Sequence, residues 1–505
     1  MIEINGANLG LMSFIKVARF KEKVAICEEN KVLIKKAREY VSNIVESEKP
    51  VYGINTGFGN LSSVAIEKRE VSKLQKNLLM SHACGVGEPF SEEITRGMML
   101  LRINALIKGY SGIRLEVLEK LLELLNKNVI PVVFSQGSLG ASGDLAPLSH
   151  MSLPLLGLGE VFFEGIRMSA TSGLAKSGIV PLDYLQAKEG LSLINGTQAM
   201  TSVGSITLYD AINLEKTASL SLALSMEALE AIIDAFDPRV HELRGHIGQI
   251  DVAKRVKMIL SNSKLITKDG ELRIQDAYSI RCAPQVHGAC LDAFRYVKSV
   301  VETEMNAVTD NPIVFAETGD VISAGNFHGE PLALAFDYLS TAISELANIS
   351  ERRIERLVNS NLSNGLPPFL VKKPGINSGF MIVQYSAASL VSENKSFAHP
   401  ASVDSIPSSA NQEDHVSMGT ISARKAAMIL NNTRKVIGME LMTACQAIDF
   451  RGADKLGTIT LRAYIIMRKH IPFIEEDCIM YPYIHLTEKL IISDKFNHVI
   501  TGGED

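Results

Sequence analysis

The sequence has few of the features that mark a secreted, membrane or metal-binding protein. Its six cysteines are scattered without Cys-x-x-Cys spacing, so they indicate neither a disulfide framework nor a zinc site. The first residues, MIEINGANLG, lack the basic and apolar segments of a signal peptide. The longest apolar runs are interrupted by Glu227, Glu230 or Pro154 before they reach the length that spans a bilayer. We therefore expect a cytoplasmic protein with no membrane partner.

An excess of charge of either sign is also missing. The net charge is -5 over 505 residues, and no basic cluster stands out. This balance argues against nucleic acid or an anionic membrane as the main partner and favours a small molecule or another subunit. The chain exceeds the length at which single hydrophobic cores stop growing, so we expect two subdomains or one elongated architecture.

Several common catalytic motifs are absent. No HExxH or similar spacing joins His150, His287, His328 and His415, so we assign no metal site. The glycine-rich stretch GSLGASGDLAPLSH, residues 137–150, lacks the Gly-Lys-Ser/Thr ending of a phosphate-binding loop. It also misses the G-x-S-x-G register of a nucleophile elbow. On composition alone, the stretch is typical of a flexible turn.

Helical periodicity dominates wherever a period can be read. Over residues 115–125 the leucines recur at three- and four-residue steps, with the charges on the other face, which is typical of a surface helix. Pro331 suits the first turn of a long helix. Long helices are predicted over residues 204–236, 331–358 and 418–447.

The order of these segments indicates the fold class. Residues 359–379 and 398–411 are rich in proline or serine and are predicted to be loops. We expect a mainly α protein, with a loop-rich N-terminal part at residues 1–200. A long up-and-down helical bundle follows at residues 201–505 and ends in a C-terminal helical extension.

The tripeptide Ala141-Ser142-Gly143 offers a specific reason for the glycine-rich stretch. In a tight bend, the amide nitrogen of Gly143 can attack the carbonyl carbon of Ala141, because Gly143 has no Cβ in the way. Loss of water from the ring and of the Ser142 hydroxyl then leaves a methylidene group on an imidazolone. The product is an electrophile made from the chain itself.

This stretch resembles the signature of the aromatic amino acid ammonia-lyases, whose members build the 4-methylidene-imidazol-5-one (MIO) group from this tripeptide. Further resemblances follow in family order, from residue 52 to residue 419: YGINTGFG, SHACGVG, NGTQAM, QDAYSIRCAPQVHGA, TDNPIVF, GNFHGEP and SSANQEDHVSMG. The resemblance implies a helical fold like that of fumarase and aspartase, no external cofactor, and a homotetramer whose active sites mix residues of several subunits.

The residues that face the substrate ring imply which amino acid is deaminated. Family members that act on phenylalanine carry Phe-Leu, and those that act on tyrosine carry His-Leu, at the position of Ser81 and His82. The Ser-His pair and Glu413 resemble the members that act on histidine. Because an imidazole has polar nitrogens, it suits His82 and Glu413, whereas a benzene ring would leave both unpaired. The implied reaction converts L-histidine to trans-urocanate and ammonia, the first step of histidine degradation.

The same resemblance implies roles for the remaining site residues. The substrate's β hydrogen is hard to remove because no carbonyl acidifies it, so a positioned base is needed. The implied roles are Tyr52 as this base, Ser142 within the MIO group, Tyr278 near the amine, Gln275 beside it, Arg281 on the substrate carboxylate, Asn195 at the MIO group and carboxylate, and Phe327 as a pocket wall.

Other functions compete with this interpretation. Within the family, a tyrosine or phenylalanine ammonia-lyase or an MIO aminomutase is the alternative, and both generally need a pocket for an aromatic ring. A non-catalytic scaffold should have lost Tyr52, Ser142 or Arg281, and all three are present. A fumarase-like lyase without MIO would carry a GSSxMPxKxN loop, which the sequence lacks. Two departures from the family pattern, Ala283 and Gly329, do not involve reacting groups.

Overall fold

The computed structural model describes residues 1–47, 50–57 and 66–502, so Phe58 and Gly59 of the YGINTGFG motif lie outside the described residues. The predicted mainly α class is confirmed. No helix among the described residues is long and apolar enough to cross a membrane.

The chain groups into two compact units. The first comprises residues 1–206, 298–337 and 400–424, and the second comprises residues 207–297, 338–399 and 425–505. Two later segments of the sequence thus join the N-terminal part. The domain division at residues 1–200 and 201–505 stays a prediction.

The helices vary from single turns to more than eight turns. Those that precede residue 198 are α1 (Leu11–Ala18), α2 (Glu28–Glu46), α3 (Val71–His82), α4 (Glu92–Leu106), α5 (Leu115–Asn126), α6 (Leu145–Ser152), α7 (Ala170–Ser177) and α8 (Glu189–Ile194). Those that follow are α9 (Gln198–Ala228), α10 (Pro238–Arg244), α11 (Ile247–Ile259), α12 (Tyr278–Arg281), α13 (Ala283–Met305), α14 (Glu330–Val358), α15 (Met381–Phe397), α16 (Gly419–Arg451), α17 (Thr458–His470), α18 (Tyr481–Ile492) and α19 (Lys495–Thr501).

Short strands occur in the first unit. They are β1 (Ile2–Ile4), β2 (Val24–Ile26), β3 (Val86–Pro89), β4 (Ile130–Pro131), β5 (Phe134–Gln136), β6 (Glu160–Phe163), β7 (Ile166–Ser169), β8 (Ile313–Phe315) and β9 (Asp320–Ile322). Strands β1 and β2 pair in parallel, with Ile2 opposite Val24. The antiparallel sets are β3-β5, β4-β6-β7 and β8-β9. These small sheets fix the loops between the helices.

Three of the predicted helices are confirmed with small differences at their ends. Helix α5 covers the leucine-periodic segment, and α14 begins one residue before Pro331, which stands in its first turn. Helix α16 begins at Gly419 and extends to Arg451. Residues 359–379 and 398–411 contain no α-helix, as predicted.

The helix predicted over residues 204–236 is wrong at both ends. Helix α9 begins at Gln198, because the carboxylate of Asp144 accepts hydrogen bonds from amides in its first turn. It ends at Ala228, because Glu230 adopts a left-handed conformation with φ of 51°. The amide of Ala231 then bonds back to the carbonyl of Met226 at 2.9 Å, which is a Schellman-type end.

Buried charges tie the helices of the first unit to its loops. Arg102 of α4 is fully buried and donates hydrogen bonds to the carbonyls of Ser192, at 2.8 Å, and Thr309, at 2.7 Å. Burial lowers the pKa of Arg102 to about 10. Lys188 and Asp310 form an ion pair of 2.8 Å whose side chains are 0% and 1% exposed. These contacts hold α8 and the segment before β8. Two residues of the site described below, Asn195 and Asn311, directly follow these held positions.

The second unit has its own buried polar centre. Glu440 of α16 accepts hydrogen bonds from Arg353 of α14 at 2.5 and 2.8 Å. It also accepts from Ser225, at 2.7 Å, and Ser350, at 2.6 Å. A charge that is buried in this way is stable only when its lone pairs are satisfied, and these four bonds satisfy them.

Candidate active site

A cavity of about 930 Å³ lies in the first unit and brings together six of the predicted site residues. Its volume is within the range of pockets that enclose small ligands. The predicted residues in its lining are Tyr52, His82, Ser142, Asn195, Phe327 and Glu413. Each stands in a loop or at the end of a helix, so six separated parts of the sequence converge on one space.

The Ala141-Ser142-Gly143 tripeptide is held in a cramped bend. Gly143 has φ of +76°, and a Cβ built on it would lie 2.2 Å from the carbonyl oxygen of Gly196. No other residue fits this position, because a side chain would strain the backbone at this φ and its Cβ would clash with the carbonyl of Gly196. The side chain of Asn195 donates a hydrogen bond of 2.9 Å to the carbonyl of Ser142. The bend is therefore fixed by its neighbours and not left flexible.

Asp144 directly follows the tripeptide and anchors its loop, although no role was predicted for this residue. Its buried carboxylate accepts hydrogen bonds from the hydroxyl of Ser138, at 2.8 Å, and from the hydroxyl of Thr420. It also accepts from the amides of Ala199 and Met200, at 2.9 Å each. Burial raises the pKa of Asp144, and these hydrogen bonds oppose that effect. One carboxylate thus joins the tripeptide loop to the starts of α9 and α16.

The local sequence would assign Asp144 a different partner. It precedes α6 at the N-cap position, where an aspartate normally accepts a hydrogen bond from its own helix. Its side chain makes no such bond, because it caps α9 instead. The sequence shows that an aspartate directly follows the reacting tripeptide. It does not show that the partners of this aspartate are amides 55 and 56 residues away.

Glu413 lies beside the reacting serine. The hydroxyl of Ser142 donates a hydrogen bond of 2.7 Å to Oε1 of Glu413. The hydroxyl of Ser408 donates one of 3.1 Å to Oε2. A smaller cavity of about 270 Å³ is also lined by His82, Ala141 and Glu413, so His82 and Glu413 line both cavities.

His82 is the last residue of α3, and the pKa of its ring lies below the ordinary value of 6.5. Burial is the main cause that lowers its pKa, while the backbone carbonyl of Leu78 and the charge of Glu413 oppose the shift. Its Nδ1 lies 3.0 Å from the hydroxyl of Ser81, which also bonds to the carbonyl of Leu78 at 3.2 Å. The lowered pKa favours the uncharged form of this imidazole, which provides a polar group at the cavity wall.

Asn195 and Asn311 add amide groups to the lining. Oδ1 of Asn195 is buried and has no hydrogen-bond partner within the described part of the chain. Asn311 was not predicted as a site residue; its Oδ1 accepts a hydrogen bond of 2.7 Å from the amide of Ala324. Phe327 is half-buried and provides an apolar wall.

Gln275, Tyr278 and Arg281 belong to the second unit. Gln275 is exposed, and Tyr278 is 69% exposed. The guanidinium of Arg281 lies 4.5 Å from the centre of the Tyr278 ring, and its Nε is buried without a hydrogen-bond partner in the described residues. The roles implied for these three residues stay predictions.

The described residues contain no cluster of three or more His, Cys, Asp or Glu side chains arranged to hold a metal ion. His150 has a structural contact, since its Nε2 accepts a hydrogen bond of 3.0 Å from the amide of Gly85. Burial lowers the pKa of His150, which agrees with a neutral ring that accepts this bond.

Comparisons with known proteins agree with the motifs. The chain is 56% identical to histidine ammonia-lyase 1 of Fusobacterium nucleatum subsp. nucleatum, over 97% of this chain and 96% of that protein. The crystal structure of histidine ammonia-lyase from Trypanosoma cruzi matches with a TM-score of 0.92 and 42% identity, over 99% of this chain and 95% of the other. The crystal structure of a tyrosine aminomutase from Streptomyces globisporus matches with a TM-score of 0.96 and 36% identity, over 100% of this chain and 99% of the other.

These matches extend over nearly the full chain, and the predicted resemblance is confirmed. Residues 9–469 match the family described as aromatic amino acid lyase. The chain belongs to the aromatic amino acid lyase family.

Proposed function

We propose that the protein is a carbon-nitrogen lyase that converts L-histidine to trans-urocanate and ammonia. Relatives that are named histidine ammonia-lyase and are 56% and 54% identical to this chain support the proposal. The observation that carries it is the placement of two polar groups, His82 and Glu413, in the cavity that also contains Ser142.

The polar groups of the cavity favour an imidazole ring over a benzene ring. His82 and the carboxylate of Glu413 both need hydrogen-bond partners when a substrate excludes water. A phenyl ring supplies no hydrogen-bond partner. A site that hydrogen-bonds a polar group of its substrate discriminates by a factor of about 10⁴ to 10⁵ against an analogue that lacks this group. The match to a tyrosine aminomutase supports a shared fold and does not favour an aromatic substrate.

We further propose that Ala141, Ser142 and Gly143 form the MIO group, with no external cofactor. Three observations fit the group: Ala141 is nearly buried, Gly143 has no room for a Cβ, and Asp144 anchors the bend. When formed, the group supplies an electrophile that accepts the substrate amine and makes it a better leaving group. The surrounding residues then have to bind the ring, hold the carboxylate and remove the β hydrogen.

The remaining roles are proposed from the family resemblance. Tyr52, in the cavity lining, is the proposed base for the β hydrogen. Arg281 is the proposed bidentate partner of the substrate carboxylate, and Tyr278 and Gln275 are placed near the amine. On the same resemblance we propose a cytoplasmic homotetramer with no nucleic-acid or membrane partner.

A direct assay tests the substrate. Purified protein is incubated separately with L-histidine, L-tyrosine and L-phenylalanine, and the ultraviolet absorbance of each unsaturated product is followed. We expect turnover of histidine only. Preferred turnover of tyrosine or phenylalanine, or recovery of a β-amino acid, would support the lyase or aminomutase alternatives and reject the histidine assignment.

A further inference from the structure

The two carboxylate oxygens of Glu413 are each held by a different serine. Oε1 accepts from the hydroxyl of Ser142 at 2.7 Å, and Oε2 accepts from the hydroxyl of Ser408 at 3.1 Å. The contact with Ser408 connects residues five apart in the sequence, whereas the contact with Ser142 joins residues 271 positions apart. The orientation of the carboxylate is therefore determined from both sides.

The segment that carries this contact is strained. Ser409, Ala410 and Asn411 follow one another with φ of 51°, 53° and 67°. Left-handed conformations of non-glycine residues cost about 1–3 kcal/mol each and persist only where the surroundings impose them. Here a backbone bridge closes the turn: the amide of Ser408 donates to the carbonyl of Glu413 at 2.8 Å, and the reverse bond is 3.2 Å. The strained turn thus places the hydroxyl of Ser408 against the carboxylate of Glu413.

Conversion of the tripeptide removes one of these two contacts. Ring closure forms a bond from the nitrogen of Gly143 to the carbonyl carbon of Ala141, and the carbonyl oxygen leaves as water with the amide protons of Ser142 and Gly143. The Cα proton and the hydroxyl of Ser142 then leave as a second water, and the electron pair of the C–H bond forms the Cα=Cβ double bond. No oxidant is needed. Oε1 of Glu413 loses its donor, whereas Oε2 keeps the donor on Ser408.

We propose that Ser408 is a positioning residue that holds Oε2 of Glu413, so that the released Oε1 accepts an N–H of the substrate's imidazole ring. This inference rests on the proposed function. Ser408 does not touch the ring; it acts through Glu413. When the hydroxyl of Ser408 is removed, the carboxylate of Glu413 can rotate away from the ring, and the binding of histidine weakens.

The test measures binding in a background that cannot turn over substrate. In Ser142→Ala the hydroxyl is absent, so Oε1 of Glu413 is free as it would be after conversion. Calorimetric titration with L-histidine gives the dissociation constant. Ser408→Ala in this background should raise it roughly tenfold, as expected for loss of a hydrogen bond to a charged group. Ser408→Thr retains the hydroxyl and should stay within about twofold of the parent.

Two controls separate positioning from general loosening of the segment. Ser408→Val has the shape of threonine without the hydroxyl, so the difference between the Val and Thr variants isolates the hydrogen bond. Ser405 accepts a hydrogen bond from the amide of Val416 in the same region, and the described residues show no hydrogen bond between Ser405 and Glu413. Ser405→Ala should lower the denaturation midpoint and leave the dissociation constant unchanged.

A double-mutant cycle completes the test. In a Glu413→Ala background, Ser408→Ala should no longer change the dissociation constant, because the side chain through which Ser408 acts is absent. Equal dissociation constants for the Ser408 Val and Thr variants would overturn the inference while leaving the histidine assignment intact. Failure of the Ser142→Ala protein to bind histidine, together with no turnover by the unaltered protein, would instead reject the proposed function and this inference with it.

Discussion

The carboxylate of Asp144 accepts a hydrogen bond of 2.9 Å from the amide of Met200, 56 residues further along the chain. This bond ties the residue after the reacting tripeptide to the first turn of α9. Because the carboxylate also holds Ala199, Ser138 and Thr420, the tripeptide loop cannot move without breaking several buried contacts. The contact accounts for a bend that is both cramped and rigid.

Asp144→Ala should destabilise the protein and prevent conversion of the tripeptide. Removing the carboxylate leaves two buried amides without partners, at a cost of about 1–3 kcal/mol each. Urea unfolding measures the loss of stability, and intact mass shows whether two water molecules have been lost. Asp183→Ala, at an exposed position, should stay within about 0.5 kcal/mol of the unaltered protein. Normal stability and full conversion in Asp144→Ala would contradict the anchoring role.

Gly143→Ala should lower the free energy of unfolding by more than the backbone strain alone accounts for. Gly178 has a similar φ of +66°, but no atom of the described residues lies within 4 Å of a Cβ built on it, so Gly178→Ala measures the strain by itself, about 1–2 kcal/mol. At Gly143 the new Cβ also meets the carbonyl oxygen of Gly196 at 2.2 Å. We expect a further loss of about 2 kcal/mol or more and no loss of water from the tripeptide. Equal losses of unfolding free energy at the two glycines would show that the close approach does not matter.

His82 should make the protein less stable in acid. Its pKa in the folded state is below the ordinary 6.5, so the unfolded chain binds the proton more readily. The free energy of unfolding therefore falls as the pH drops below 6.5 towards the folded-state pKa, and it is unaffected well above 6.5. Chemical denaturation of the unaltered protein and His82→Gln at pH 7.5 and 5.5 checks this, with exposed His485→Gln as control. His82→Gln should lose less stability between these two pH values. An unchanged pH dependence would be inconsistent with a lowered pKa of His82 in the folded state.

Removing only one member of the buried ion pair between Lys188 and Asp310 should strongly lower the free energy of unfolding. Lys188→Met leaves a buried carboxylate without its cation, which we expect to cost about 3–5 kcal/mol. The double variant Lys188→Met/Asp310→Leu should recover most of this loss, because no charge is left unpaired. Lys68→Met removes an exposed ion pair with Glu46 and should cost at most about 1 kcal/mol. Denaturant midpoints measure all three variants, and a double variant less stable than Lys188→Met would oppose this account.

The parts of the fold that sequence predicted best are those determined by local pattern. The leucine spacing of α5 and the proline in the first turn of α14 act within one helix, so both helices were predicted closely. The start of α9 could not be predicted, because the group that caps it is Asp144, far away in the chain. The strained turn at residues 409–411 was likewise invisible, since none of its residues is glycine.

The site residues were predicted from family motifs more than from composition, periodicity and charge. Six predicted residues line one cavity, yet composition and periodicity alone do not place Tyr52 near Glu413. Asp144, Asn311 and Ser408 lie within the motifs but were given no role, because each acts by holding another group. Such roles depend on contacts that the motif pattern does not show.

The most direct test of the central claim is turnover of L-histidine by the purified protein, followed by the absorbance of urocanate, beside Ser142→Ala and Glu413→Gln. We predict histidine turnover by the unaltered protein, none by Ser142→Ala, and a decrease in kcat/KM of roughly tenfold to a hundredfold for Glu413→Gln, as expected when a hydrogen bond to a charged group is lost. No turnover of histidine, or equal rates for the unaltered protein and Ser142→Ala, would contradict the account.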